Sequence, residues 1–362
     1  MASHQKSPPT DPAPQPRVSV DGAADTQTGR AHAAGPHASA AARSRRAPRH
    51  FLGVDDVGTD GARRLLDLAW RIKREPADWR TALAGQSLAM IFQKSSTRTR
   101  VSFEVGMVQL GGHALFLSAQ DMQIGRGETI ADTARVLSRY CDGIMARVYG
   151  HSDLEELARY ANVPVINGLS DRLHPCQTMA DALTLAERFS PVGRFDPLSL
   201  VGRKLCYVGD AANNMANSLM ITGATLGMHV SVLGPRAYWP DEAIVDQART
   251  LAGETGAEIV VSDEPAEALE GADAIYTDVW TSMGQETERD QRLRDLAGYQ
   301  VNADLMALAR PDACFMHCLP AHRGEEVSAE VCDGPQSLIF DEAENRLHAQ
   351  KALLVELMGH LG

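Results

Sequence analysis

Residues 61–74 place Leu65, Leu66, Ala69 and Ile72 at helical spacing, so an amphipathic helix is predicted to open a folded body. Ser87–Phe92 is a short apolar run between Gly85 and the polar stretch from Gln93, the pattern of a strand buried on both faces. Thr97–Leu110 then reads as a helix closed by Gly111-Gly112. The alternation continues with a strand over Ala114–Leu117, a helix over Ile130–Tyr140 and a strand over Gly143–Val148. A helix over Leu154–Tyr160 and a strand over Val163–Asn167 follow, and His174 and Gln177 bracket Pro175 at a helix start. A second series begins after the loop Ser190–Gly202. It predicts strands at Lys204–Val208, His229–Leu233, Glu258–Val261, Ala274–Thr277 and Cys314–His317, with helices at Asn214–Leu226 and Asp241–Ala252. A final helix is predicted over Asn345–Leu361, where Leu347, Leu354, Leu357, Met358 and Leu361 fall on one side and demand a packing partner.

Strand and helix alternating twice over imply two α/β domains, each a doubly wound and mostly parallel sheet, with a cleft between them. The boundaries read as an extension over 1–50, a first domain over 51–188, a second over 189–345, and a terminal helix over 346–362 that packs back on the first domain. In such sheets ligands bind beyond the carboxyl ends of strands, so the chemistry is sought in the cleft.

Charge changes the picture at the N-terminus. The 362 residues carry Lys+Arg 35 against Asp+Glu 47, a formal charge of −12. Residues 1–50 hold seven Lys/Arg and three Asp, a net of +4, so the remaining body carries −16 (−12 − 4). Seven prolines and twelve alanines lie in the same fifty residues with almost no large apolar side chain, too little buriable surface to offset ordering entropy, so disorder is expected there. From Thr28 to Phe51 there are arginines and no acid, as in a transit peptide, although Pro36 and Pro48 spoil an amphipathic helix. A cytoplasmic enzyme is expected, with an organelle matrix as the alternative if this segment is a transit peptide. The acidic body disfavours a nucleic-acid partner, and no run approaches the roughly 20 apolar residues of a membrane span. The six cysteines are scattered without a C-x-x-C pair and read as reduced thiols.

The strongest local chemistry is Gln93-Lys94-Ser95-Ser96-Thr97-Arg98-Thr99-Arg100, which joins a buried strand to a helix. Ser96 stands as N-cap, the first-turn N–H groups point outward, and the hydroxyls of Ser96, Thr97 and Thr99 with the Arg98 guanidinium complete a pocket for a dianionic phosphate. A capped helix with solvated arginines fits the same run on local grounds. G-x-x-x-x-G-K-[ST] and G-x-G-x-x-G are both missing, so neither a nucleotide P-loop nor a dinucleotide site is indicated. Cys318 follows His317, but neighbours in an extended strand point to opposite faces, so they do not form a nucleophilic dyad.

Ser96-Thr97-Arg98-Thr99-Arg100 after a strand resembles the carbamoyl-phosphate loop of the aspartate/ornithine carbamoyltransferase family. The resemblance recurs in order along residues 51–362, at Gln123-Ile124-Gly125, Asp132–Arg135, Ala146-Arg147, His174-Pro175-Cys176-Gln177, Gly209-Asp210 with Asn213-Asn214, Asp278–Gly284, His317-Cys318-Leu319-Pro320 and Glu342–Arg346. Lys94, Val101–Glu104 and the triplet Ser282-Met283-Gly284 lean toward the ornithine branch, because aspartate enzymes lack that triplet and putrescine enzymes depart from it. Gln93 stands where the family often has Glu.

The resemblance implies that carbamoyl phosphate is held by Ser96, Thr97, Arg98, Thr99, Gln123, Arg147, His174, Gln177, Cys318, Leu319 and Arg346. Among these, Arg147, His174 and Cys318 are implied at the reacting groups, and Gln123 is implied to come from a neighbouring subunit. Asn214, Asp278, Ser282 and Met283 are implied to hold ornithine. The reaction implied is transfer of the carbamoyl group to the δ-amine, giving citrulline and phosphate, with no metal or organic cofactor, in a homo-oligomer, by analogy a trimer. Arginine biosynthesis is the expected setting. Another amine such as N-acetylornithine or putrescine is the alternative acceptor. A dinucleotide-dependent oxidoreductase and a non-catalytic carbamoyl-phosphate binder are the rivals from other classes.

Overall fold

The computed structural model describes residues 49–122, 127–281 and 286–359. The expected disordered segment through residue 48, and Gln123, Ser282 and Met283 among the expected site residues, lie outside them.

Four parallel strands form the first sheet: β1 (Ser87–Phe92), β2 (His113–Ser118), β3 (Gly143–Arg147) and β4 (Val165–Leu169), in the order β2-β1-β3-β4. Its helices are α1 (Gly58–Arg74), α2 (Thr97–Gln109), α3 (Ile130–Tyr140), α4 (His151–Tyr160) and α5 (Pro175–Phe189). Five parallel strands form the second: β5 (Lys204–Val208), β6 (His229–Leu233), β7 (Ile259–Ser262), β8 (Ala274–Thr277) and β9 (Cys314–His317), in the order β7-β6-β5-β8-β9. With them go α6 (Asn214–Leu226), α7 (Glu242–Thr255), α8 (Pro265–Leu269), α9 (Arg289–Leu296), α10 (Ala303–Met306) and α11 (Ala329–Cys332). The last helix, α12 (Ile339–Met358), packs on α1, α2 and α5, so the end of the chain returns to the first sheet.

Two doubly wound α/β domains are therefore present, as the alternating pattern implied. Central strands β1, β3, β5 and β8 are buried almost throughout, which is why they read as continuous apolar runs rather than alternating ones. In each sheet the chain winds outward one way and then restarts on the other side of its first strand, between β1 and β3 and between β5 and β8. These switch points open crevices at the carboxyl ends of the strands.

Three expectations are corrected. The final helix begins at Ile339 instead of Asn345, so Arg346 lies seven residues inside it (346 − 339) and not at its start. Glu342, Asn345 and Arg346 are polar yet buried, and these inward-facing polar groups hid the helical period from the sequence. Arg49 and His50, assigned to the extension, belong to the body: Arg49 pairs with Glu356, and His50 Nδ1 accepts from the Val165 amide at 3.1 Å. Phe51, fully buried, then bonds to Val165 and Asn167 alongside β4. Finally, β4 runs two residues later than predicted, beside a register shift in β3 at Ala146/Arg147.

The six cysteines are free and five of them are buried. Among the described residues no helix is long and apolar enough to cross a membrane.

Candidate active site

A cavity of about 490 Å³ lies at the carboxyl ends of both sheets. Each of its walls follows from a strand ending. After β1, Ser96 takes an extended conformation as the N-cap of α2, and its hydroxyl accepts from the Thr99 amide at 3.3 Å and donates to Thr99 Oγ1 at 3.1 Å. The first turn of α2 has no acidic residue, so its free N–H groups and positive dipole end face the cavity uncompensated. Arg147 closes β3. His174 and Gln177 sit at the start of α5, where Pro175 begins the helix. From the second sheet come Asn214 after β5, Asp278 after β8, and Cys318 and Leu319 after β9.

All of the expected site residues that fall within the described part line this one cavity: Ser96, Thr97, Arg98, Thr99, Arg147, His174, Gln177, Asn214, Asp278, Cys318, Leu319 and Arg346. They are spread over some 250 positions of sequence, and only the return of α12 to the first sheet delivers Arg346. Its Nη1 donates to Gln177 Oε1 at 2.6 Å and its Nη2 to Thr99 Oγ1 at 3.3 Å. Arg98 donates to the carbonyl of Leu319, joining the wall of the first sheet to that of the second. Leu319 takes a positive φ of 58°, unusual for a branched residue, and strain of this kind concentrates at functional sites.

The electrostatics favour an anion. Arg147 is buried, and burial first, then Arg346 and Arg98, bring its pKa down to about 10. Arg346 is also lowered, chiefly by burial. Such a cluster costs stability unless an anion compensates it. Burial first, then Arg346, Arg147 and Arg98, hold His174 well below the ordinary imidazole range, so it is a neutral ring at working pH. Its Nδ1 and the Arg147 Nε are buried without a protein hydrogen-bond partner among the described residues.

A pH prediction follows from His174. Its folded-state pKa lies below the unfolded 6.5, so below that pH the unfolded chain binds the extra proton and this group draws stability away as pH falls. The His174→Asn variant lacks the term. Its melting temperature relative to the parent protein is expected to improve on going from pH 7.5 to pH 5.5; a gap that stays constant or widens against the variant would contradict a neutral buried His174.

Cys318 Sγ lies 3.1 Å from Asp278 Oδ1, and burial, then that carboxylate, raise its pKa well above the thiol range. It is a protonated thiol at neutral pH. His317 is fully buried, accepts from the Leu319 amide through Nδ1 at 2.9 Å, and faces Glu326 through Nε2 at 3.3 Å. A ring nitrogen of His317 and the Cys318 sulfur lie within 4.8 Å of each other, so the side chains do not diverge as strand alternation implied; the thiol is directed at Asp278 instead. Asp278, His317 and Cys318 also form one of two clusters of metal-ligating atoms among the described residues, the other being His322, Glu325 and Glu326. In the first, His317 Nδ1 is taken by the Leu319 amide and the sulfur keeps its proton.

Other residues at and around the cavity are placed as follows. Helix α6 is capped by Asn213, whose side chain accepts from the amides of Met215 and Ala216, whereas Asn214 is its first residue and donates to the Ser170 carbonyl at 2.6 Å. Gln93 does not line the cavity: it donates to Asp153 at 2.9 Å and accepts from the Tyr149 amide at 2.8 Å, bracing β1 against α4. Lys94, Met215, Thr281 and His322 line the cavity without having been selected. Lys94 sits 4.6 Å above the Tyr149 ring and its pKa is lowered, by burial first and then by Arg147. Its place in the strand-to-helix run was the available signal.

The site is a cleft in an α/β fold in which cationic groups at a helix N-terminus of one sheet face a carboxylate, an amide and a thiol from the other. The profile described as the aspartate/ornithine carbamoyltransferase carbamoyl-P binding domain matches residues 49–187, and that of the Asp/Orn binding domain matches residues 201–357. An ornithine carbamoyltransferase of Methanoculleus marisnigri is 55% identical over 310 residues, covering 85% of this chain and 96% of that protein. One of Pyrococcus furiosus, described as anabolic, is 58% identical over 277 residues, covering 76% and 85%. Among solved structures, ornithine carbamoyltransferase from Pyrococcus furiosus superposes with a TM-score of 0.81 at 52% identity, covering 87% of this chain and 99% of that one. The Thermus thermophilus enzyme gives 0.75 at 44%, covering 86% and 99%. The chain belongs to the aspartate/ornithine carbamoyltransferase family.

Proposed function

We propose that this protein transfers the carbamoyl group of carbamoyl phosphate to the δ-amine of L-ornithine, releasing L-citrulline and phosphate. The observation that carries the reading is the convergence of Arg98, Arg147 and Arg346 on one cavity at the N-terminus of α2. In this reading phosphate lies against Ser96, Thr97, Arg98 and Thr99, with Arg346 and a neighbour's Gln123 closing over it. Arg147 and neutral His174 donate to the carbamoyl oxygen, and Gln177 accepts from the carbamoyl NH2. Cys318 and Leu319 line the reacting centre. Asn214, Asp278, Ser282 and Met283 take the amino-acid part of ornithine, the Asp278 carboxylate suiting an ammonium group. Residues 51–188 thus form the carbamoyl-phosphate domain and 189–345 the ornithine domain, followed by the terminal helix.

The neutral amine attacks the carbonyl carbon, a tetrahedral oxyanion forms, and as the C–O bond to phosphate breaks the nitrogen gives up one proton to the departing phosphate. Donors already aimed at the developing charge supply the main stabilisation, and holding both substrates across the cleft removes an entropic barrier. No step requires an enzyme nucleophile, which agrees with a Cys318 that keeps its proton. A citrulline assay with ornithine, N-acetylornithine, putrescine and aspartate tests the reading. Turnover is expected with ornithine; preference for another amine would replace the acceptor, and no turnover with any would refute transferase activity.

The δ-amine resembles lysine, with a reference pKa of about 10.4, so about one molecule in 2,500 is neutral at pH 7. Hence kcat/KM for ornithine is expected to climb between about pH 7 and pH 8.5 as that fraction grows. A flat profile over the interval would count against attack by the free amine within the rate-limiting sequence.

We also infer a homotrimer. On α2 the outward side chains Val101, Val105 and Val108 are exposed, as are Leu115 and Phe116 on edge strand β2. An apolar helix face and an unpaired strand edge together call for a cover, and they begin directly beside the Ser96–Arg100 turn, where a neighbour's Gln123 would have to reach. Arginine biosynthesis in the cytoplasm is the setting we favour, supported by the anabolic description of the Pyrococcus relative.

A further inference from the structure

Behind Gln177 lies a layer of polar groups that the proposed reaction does not use. Gln177 Nε2 donates to Asp181 Oδ1 at 2.8 Å and to Glu342 Oε1 at 2.9 Å. Glu342 in turn accepts from the Tyr276 hydroxyl at 3.1 Å and from the His317 amide at 3.0 Å. Asp181, Glu342 and Gln177 are all essentially inaccessible to solvent. The two carboxyl groups thus meet at one amide nitrogen, and both have raised pKa values, chiefly through burial. Two buried carboxyl groups this close resist carrying two negative charges at once. Burial lowers the pKa of Arg346 and Asp181 raises it, so the guanidinium beside Gln177 keeps a carboxyl neighbour.

The network also dictates which way the Gln177 amide points. Its two N–H bonds are both spent on carboxyl oxygens, and its carbonyl faces Arg346 Nη1 at 2.6 Å. Turned over, the amide would set its carbonyl against two carboxyl groups and its NH2 against a guanidinium, three unfavourable contacts in place of three good bonds. One carbonyl lone pair remains for the cavity, so Gln177 offers a ligand an acceptor and no donor.

We propose that the Asp181–Glu342 pair is a positioning device that locks the Gln177 amide carbonyl-outward and so makes the site selective for a donor whose acyl group carries N–H. Resting on the carbamoyl-phosphate reading above, this makes the two carboxyl groups the reason carbamoyl phosphate is preferred over acetyl phosphate, where a methyl group replaces the NH2. A site built around a hydrogen bond rejects an analogue that lacks the partner.

The experiment compares KM for carbamoyl phosphate with the inhibition constants of acetyl phosphate and inorganic phosphate. In Asp181→Asn the asparagine still accepts from Gln177 and Glu342 keeps its carboxyl group, so the amide orientation persists; selectivity is expected within threefold of the parent. The double variant Asp181→Asn with Glu342→Gln has no carboxylate, and its two amides can themselves turn to present either C=O or N–H, so only Arg346 still orients the Gln177 amide. Its KM for carbamoyl phosphate is expected to rise about tenfold, equivalent to about 1.4 kcal/mol, while the inhibition constants of acetyl phosphate and phosphate hold or tighten, since Arg346 loses its counter-charge. A merely structural role would weaken all three ligands together, and that outcome, or unchanged selectivity in the double variant, overturns the proposal. If the double variant does not fold, Asp181→Leu, lacking one acceptor, is expected to lower the preference at least threefold, and an unchanged preference overturns it equally. Citrulline formation by the parent protein is read in the same assay, so a failure of the underlying activity is seen separately.

Discussion

Arg147→Met is expected to lower kcat/KM by about a thousandfold, the scale set by removing one preorganised donor from a developing oxyanion, while leaving the protein at least as resistant to heat. The two halves of this result have one cause. Arg147 is buried with Arg98 and Arg346 as its charged neighbours, and the fall of its pKa to about 10 from 12.5 records that the folded protein disfavours its charge. That shift corresponds to a penalty of order 3 kcal/mol carried by the folded state without ligand. Methionine has comparable reach and no charge, so the penalty disappears with only a modest change in packing. Phosphate is expected to raise the melting temperature of the parent protein and to do so much less for the variant, because binding energy adds to folding stability. Calorimetry with and without phosphate checks both statements. A melting temperature lowered by more than about 5 °C would assign Arg147 to structure and remove the argument that it is held ready for an anion.

Mixing two inactive variants is expected to recreate activity. If each site combines Arg147 of one subunit with Gln123 of the next around a ring, the contact is head-to-tail. Equal amounts of Arg147→Met and Gln123→Ala subunits, exchanged to equilibrium, then give about a quarter of sites with both groups intact. Either variant alone stays near background, so the gain is large against the baseline. Exchange is followed with a mass label on one variant, and complete exchange without recovered citrulline formation would show that Gln123 acts within its own subunit or not at all. Activity recovered before any exchange would point to contamination instead. The exposed row Val101, Val105 and Val108 supplies a matching control. Val105→Asp puts a charge on the proposed interface and is expected to yield smaller particles with diminished turnover.

Much of this protein is legible before its coordinates are seen. Strands such as Ser87–Phe92 and Lys204–Val208 are marked by short apolar runs between turn residues, and the structure returns them with the same limits. The phosphate-facing turn is legible because capping is local chemistry: Ser96 and the first-turn hydroxyls act on backbone groups within a few residues of themselves. Helix α12 was only half legible. Its first turns carry Glu342, Asn345 and Arg346 inward, and a buried polar network reads in sequence as solvent-facing surface. Lys94 and Thr281 stand inside the motifs at Gln93–Arg100 and Asp278–Gly284, but which members of a motif face the cavity is decided by the loop's path in space.

The sequence by itself determined the class of fold, the winding into two parallel sheets and the one anion-binding turn, because period, capping and turn chemistry act over a few residues. It also held the family's motifs in order, as a string without positions in space. Only the tertiary structure decided that Arg98, Arg147 and Arg346 share one cavity, since that depends on two switch points facing each other and on α12 crossing back to α1, α2 and α5. It alone decided which way Gln177 faces, because Asp181 is a helical turn away while Glu342 and Arg346 lie more than 160 residues further on. Buried charges interact through space and through the low polarity around them, and neither of those is written along the chain.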